Sequence, residues 1–180
     1  MKKTLLFILF TLILSAPLYA QSKSNQHLKF MGIPIDGSIT NFQNKLIAKG
    51  FKYDKVGSQN LEGPTRIFKG LFAGETSWIY VYYDKEQKFV YRVKVVIQRD
   101  SESQISSLMN TFKFQLEEKY STYAIANSNE DNSCYYLIVP NGEINIFYRQ
   151  NIYSIGYALH IDYWDNLNYE KNEANNMDDL

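Results

Sequence analysis

The chain is poor in the residue types that carry most protein chemistry. Cysteine occurs once, at Cys134, and histidine twice, among 180 residues. One cysteine excludes an intramolecular disulfide and a cysteine-rich zinc site. An excess of either charge is also missing, since 19 basic residues face 19 acidic ones. That excludes nucleic-acid binding through bulk positive charge. Beyond the first 20 residues no apolar run reaches the roughly 20 residues needed to span a bilayer. The sequence holds no phosphate-binding glycine loop, no His-Glu-x-x-His and no Gly-x-Ser-x-Gly.

The beginning of the chain reads as an export signal. Lys2 and Lys3 precede an apolar run from Leu5 to Leu14, and Ser-Ala-Pro-Leu-Tyr-Ala closes it at Ala20. Cleavage near Ala20 would remove both lysines and leave a net charge of 2 negative. No cysteine follows the run, so lipoprotein acylation is not expected. The mature chain is expected in the periplasm or outside the cell, with no membrane insertion.

Residues 21–27 read as a polar leader, and Leu28 to Ile35 as a short extended piece in which Pro34 opposes helix. Ser38 is an N-cap candidate for a helix over Ile39 to Lys49, with Ile39, Phe42 and Leu46 at helical spacing and Gly50 at its end. Residues 54–64 read as loop. Three strands follow, over Thr65 to Phe72, Ser77 to Tyr83 and Phe89 to Gln98. A second helix starts at the capping box of Ser101 and Gln104 and carries the stripe Ile105, Leu108, Met109, Phe112, Leu116 and Tyr120. Asn127 to Ser133 reads as a polar loop. Strands are then expected over Cys134 to Val139, Glu143 to Gln150 and Tyr153 to Tyr163, with Pro140-Asn141-Gly142 as a turn. Residues 166–180, rich in Asn, Asp and Glu, read as a disordered tail.

The expected fold is therefore α+β. Residues 28–165 form a single domain of two consecutive helix-plus-three-strand units, about 28–98 and 101–165. The sheet is largely antiparallel, with the helices on one face. Six strands at about 4.8 Å make a sheet nearly 30 Å wide, whereas two helices of about 10 Å cover roughly 20 Å of one face. The other face is left open. The strand from Ser77 to Tyr83 is apolar on both sides, so an aromatic row of Trp78, Tyr80 and Tyr82 is expected there. If Val93 and Val95 face the helices, Arg92 and Lys94 join the row. If Ile144 and Ile146 do so, Phe147 and Arg149 join it as well, and strand alternation adds His160. Aromatic and arginine side chains together are the composition of a protein-binding face. The plain alternative is that aromatic residues simply suit strands. A glycan stacked on the aromatic row and a homodimer seam are further alternatives.

Catalytic and metal arrangements find little support, and no cofactor is expected. Cys134 with His160 is the one conceivable thiol–imidazole pair, and a cysteine opening an interior strand is usually a small buried hydrophobe. Asn127, Asn129 and Asp131 have calcium-loop spacing, but Asn132 and Ile138 stand where that loop needs glycine and glutamate. Glu117 and Glu118 are sequence neighbours and do not face each other as an acid–base pair would.

The run Leu28-Lys-Phe-Met-Gly-Ile-Pro-Ile-Asp-Gly-Ser-Ile-Thr-Asn-Phe, the later Lys49-Gly-Phe, and Phe68-Lys-Gly-Leu-Phe-Ala-Gly resemble uncharacterised small exported proteins of Bacteroides-type bacteria. At the level of topology, an export signal followed by two helix-then-strands units is similar to the β-lactamase-inhibitor-protein-like fold. That resemblance implies a concave sheet face holding a partner protein and assigns no residue a role. This chain departs from the pattern in having one clear helix per unit and one cysteine. The reading of the whole is an exported, non-enzymatic protein-binding or inhibitor-like module.

Overall fold

The computed structural model describes residues 26–121, 125–128, 134–151 and 155–178. The expected signal peptide and residues 21–25 of the expected leader lie outside the described residues, as do Tyr153 and most of the polar loop before Cys134.

The chain enters through a small hairpin, β1 (Lys29–Phe30) and β2 (Ile33–Pro34), rather than one extended piece. Met31 and Gly32 both have positive φ, as a tight two-residue turn requires. The hairpin plugs one end of the core: Phe30 is fully buried, stacked on Phe72 and edge-on to Tyr163. Helix α1 (Ile39–Ala48) starts where Ser38 Oγ accepts from Asn41 N at 3.3 Å, and Ile39, Phe42 and Leu46 are its buried face. It stops at Gly50, whose φ of +92° is the left-handed conformation that ends a helix.

The expected loop at 54–64 is instead structured. Strand β3 (Lys52–Asp54) and the short helix α2 (Lys55–Gln59) occupy its first half, with Asp54 Oδ1 accepting from Gly57 N at 2.9 Å. Strands β4 (Thr65–Phe72), β5 (Glu75–Tyr83) and β6 (Val90–Arg99) follow as a meander. Helix α3 (Glu102–Tyr120) is capped by Ser101 as its sequence predicts and buries Ile105, Met109, Phe112 and Leu116. Strands β7 (Ile125–Ser128), β8 (Cys134–Val139), β9 (Gly142–Gln150) and β10 (Tyr157–Asp165) complete the second unit. Each unit thus has four strands, not three, because β3 and β7 are too short and polar to stand out by periodicity. Ile155, expected in the last strand, lies before β10 and is fully exposed.

All eight of these strands form one antiparallel sheet in the order β3-β4-β5-β6-β10-β9-β8-β7. The two meanders meet at their last strands, β6 and β10, which pair with Val96 opposite His160 and Lys94 opposite Asp162. The structure is α+β with an antiparallel sheet. Val93, Val95, Ile97, Ile144, Ile146, Leu159 and Ile161 are fully buried and form the core with α1 and α3. Of the described helices, none is long and apolar enough to cross a membrane.

The expected disordered tail is corrected. Asn166–Asp178 is a helix, α4, packed against the sheet, so the domain runs past 165. Asp165 caps it by accepting from Asn168 N at 3.0 Å. Asn168 Nδ2 donates to the carbonyls of Ile35 at 3.0 Å and Val90 at 2.8 Å. Tyr169 packs on Tyr91 and edge-on to Trp164. The helix docks through Asn and Tyr rather than an apolar stripe, so its composition concealed it. His27, expected in a loose leader, is likewise held, with Nδ1 at 2.9 Å from Asp165 Oδ1.

Candidate functional site

Directly opposed residues of antiparallel strands share a face. With β5, β6, β10 and β9 adjacent, three rows cross the centre of the open side. Tyr82, Arg92, Trp164 and Glu143 make the first. Tyr80, Lys94, Asp162 and Asn145 make the second, and Trp78, Val96, His160 and Phe147 the third. Beyond them Gln98, Ala158 and Arg149 continue the pattern. All eight expected residues, Trp78, Tyr80, Tyr82, Arg92, Lys94, Phe147, Arg149 and His160, stand on this one face. The sheet has eight strands rather than six, so the face is wider than expected, about 40 Å at the usual spacing. Helix α4 covers one end of it, at Trp164.

The eight do not play equal parts. Arg92 is a scaffold residue: its Nε donates to Asp162 Oδ1 at 2.7 Å, and its Nη2 donates to Oδ2. Its guanidinium is wedged between rings, 3.9 Å from the Trp164 centroid and 4.6 Å from that of Tyr82. Lys94 Nζ lies 3.5 Å from the same buried carboxylate. One anion thus serves two cations. Burial holds the Lys94 ammonium below its ordinary pKa, with the Arg92 charge acting the same way and Asp162 opposing both.

Tyr80, Tyr82, Lys94, Arg149 and His160 line a cleft of about 530 Å³, joined by Val96, Gln98, Gln150, Asn151 and Ala158. Burial pushes the phenols of Tyr80 and Tyr82 up, so both stay protonated donors. Phe147 stacks on His160, with centroids 4.8 Å apart and rings 11° from parallel. His160 itself is only 7% exposed, and neither ring nitrogen has a hydrogen-bond partner. Burial, reinforced by the charges of Arg149 and Lys94, pushes its pKa down to about 4. The ring is therefore neutral at pH 7. Trp78 lies beside the cleft, opposite Lys69 on β4.

The thiol–imidazole pairing weighed for Cys134 is not formed. Cys134 and His160 both oppose Phe147, on its two sides, so that ring stands between them. Among the described residues, no three His, Cys, Asp or Glu side chains gather as a metal site.

Sequence reasoning missed Asp162 and Trp164. Both alternate with His160 along β10, which was the available signal, but their importance depends on β6 being the neighbour. Alternation along a strand carries no information on which strand pairs with it.

The lowered pKa of His160 has a consequence for stability. The unfolded chain binds a proton at an imidazole near 6.5, and the folded chain binds it near 4. Between those values the unfolded state holds more protons, so stability falls as pH drops through this window, by about 3 kcal/mol in all. The carboxyl of Asp54, hydrogen-bonded by Lys69 and Gly57, is held low and acts in the same direction. So does Asp84, where bonds from Asn175, Gln87 and Glu86 outweigh burial. Both titrate mainly below the histidine window. Urea unfolding at pH 7, 5.5 and 4.5 should show the decline, and His160→Leu should flatten it. An equally steep decline in that variant would assign it elsewhere.

Compared with protein-family models, with curated proteins and with solved structures, the chain finds no match.

Proposed function

We propose that this chain is an exported, non-enzymatic protein-binding module, of inhibitor-like type, that holds its partner on the open sheet face. The observation carrying this reading is a row of half-buried aromatic side chains beside cations, on a face whose centre no element of the described fold covers. Tyr, Trp and Arg in a partly desolvated setting are the residue types that concentrate binding energy in protein interfaces. The export signal read from residues 1–20 supports an encounter in the periplasm or outside the cell. The order of elements read from the sequence, which resembles that of the β-lactamase-inhibitor-protein-like fold, is consistent with this reading and transfers no contact residue.

The test is capture from native envelope and culture-medium extracts, followed by affinity measurement with the purified partner. Tyr80→Ala and Trp78→Ala are each expected to weaken binding by about 30-fold, the effect of a hot-spot truncation of about 2 kcal/mol. Arg149→Glu, at an exposed position, should weaken it while leaving the fold intact. Arg92→Glu is unsuitable as a control, because it would set a second carboxylate against Asp162. A partner that binds all three variants as it binds the original chain would refute the face.

Glycan binding is the second reading. Gln98, Gln150 and Asn151 beside Tyr80 and Tyr82 are the polar neighbours that sugar hydroxyls need next to stacked rings. A glycan array separates the two readings directly.

A further inference from the structure

Resting on the reading of the open face as a protein-binding surface, we infer that the partner inserts an Asp or Glu carboxylate into the cleft between Lys94, Arg149 and His160. Charge and unmet hydrogen bonding lead there independently.

Asp162 is 3% exposed and is the acidic side chain bonded to Arg92 and Lys94. It neutralises one of those two cations. Among the described residues no carboxylate stands across from Arg149 at the cleft mouth, its neighbour on β10 being Ala158. Among the described residues around the cleft, the one carboxylate of Asp162 is thus set against three cations, Arg92, Lys94 and Arg149, a surplus of two. Glu143, another described acid, lies in the row of Arg92 and Trp164 and accepts from Asn145 Nδ2 at 3.2 Å. In a chain whose expected mature charge is 2 negative, this is a local reversal of sign, and it occurs in a concavity.

His160 brings unmet hydrogen-bonding groups to the same cleft. A buried polar group without a partner costs free energy, and native structures keep few of them. Here a ring more than nine-tenths buried lines the cleft with both nitrogens unpartnered. The groups facing it are Lys94 and Gln98 from β6, Arg149 and Phe147 from β9, and Asp162 along β10. Tyr80 and Tyr82 complete the cleft from β5. A carboxylate reaching the floor would accept from the imidazole, and its second oxygen would lie toward the Lys94 ammonium or the Arg149 fork. Proton uptake by His160 would then be favoured rather than opposed, because the anion offsets the two cations that keep the ring neutral. A dianion is disfavoured by the Asp162 carboxylate and by the Asn145 Oδ1 acceptor on the same face.

The test selects 12-residue peptides from a phage-displayed library on the full chain, then measures synthetic copies of the enriched sequences. The expected peptides share an Asp or Glu beside an aromatic or aliphatic residue. Changing that acid to its amide should weaken binding at least about tenfold, as should Arg149→Gln in the protein, since each removes a charge-assisted bond from a desolvated site. In the complex, the imidazole of His160 followed by NMR should titrate well above its free value of about 4, toward the ordinary histidine range. Peptides that need Tyr80 but carry no acid would overturn the carboxylate and leave the protein-binding reading standing. No enriched peptide, with binding instead of acidic oligosaccharides such as oligogalacturonate or with self-association through the face, would overturn both.

Discussion

Asp162→Asn is expected to destabilise the fold by about 3–5 kcal/mol, the cost of leaving buried cations without their anion. Asp162 lies in the middle of the sheet, on the seam between the two meanders, and is 3% exposed. Its carboxylate takes two bonds from the Arg92 guanidinium and faces the Lys94 ammonium. An asparagine keeps the shape and removes the charge. Its amide nitrogen would moreover point a donor at a donor. Lys94 can lose its proton, its pKa being lowered already by burial. Arg92 cannot, and it is clamped between Tyr82 and Trp164. Chemical denaturation with an unchanged dependence on denaturant is the measurement. The double variant Arg92→Leu with Asp162→Leu should recover most of the loss, because apolar replacement of a buried pair is often neutral. A single variant within 1 kcal/mol of the original chain would show that water, not Asp162, satisfies the guanidinium.

The second large effect is expected at Asp165, which is fully buried. Its Oδ2 accepts from Leu28 N at 2.7 Å, while its Oδ1 accepts from Asn168 N at 3.0 Å and meets His27 Nδ1 at 2.9 Å. One carboxylate therefore ties the entering hairpin to the end of β10 and to the first turn of α4. Asp165→Ala removes a helix cap, worth about 1 kcal/mol, and strands the Leu28 amide in the interior, worth a further 1–3 kcal/mol. With the His27 contact also lost, the total is about 3 kcal/mol. Hydrogen exchange distinguishes this latch from a general loss of stability. Protection should fall first at Leu28, Ile35 and Asn168, together, with the centre of the sheet unaffected. If exchange accelerates evenly, the two ends are not joined through this group.

The two predictions mark the kinds of feature that periodicity conveys and those that it does not. Helix α3 was legible because Ser101 and Gln104 announce its start and its apolar residues recur every three or four positions. The hydrophobic alternation of β6 and β9 was legible in the same way, and it placed Arg92, Lys94, Phe147 and Arg149 on the open side. Helix α4 was not legible. Asn168 and Asn172 are buried in it, and Asn168 is satisfied by carbonyls of Ile35 and Val90, far off in the chain. A polar composition of that kind reads as disorder until its partners are known. Strands β3 and β7 escaped for a related reason. At three and four residues they are too short for alternation to register, and they gain their hydrogen bonds from β4 and β8.

The sequence by itself determined which residues of each central strand share a side, since side chains alternate along a strand whatever the strand pairs with. The side of residues 77–83 that lies open was set by their pairing with β6. It determined the α+β class and the two-unit order for the same local reasons. Tertiary structure alone decided which strands are neighbours. By joining β6 to β10 it set Lys94 opposite Asp162 and Val96 opposite His160, turning separate residues into one cleft. It also separated Arg92, neutralised and held between rings, from Arg149, exposed at the mouth. The physical reason is that facing is a property of the local backbone, whereas charge pairing and desolvation depend on residues about 70 positions apart that meet only when the sheet closes.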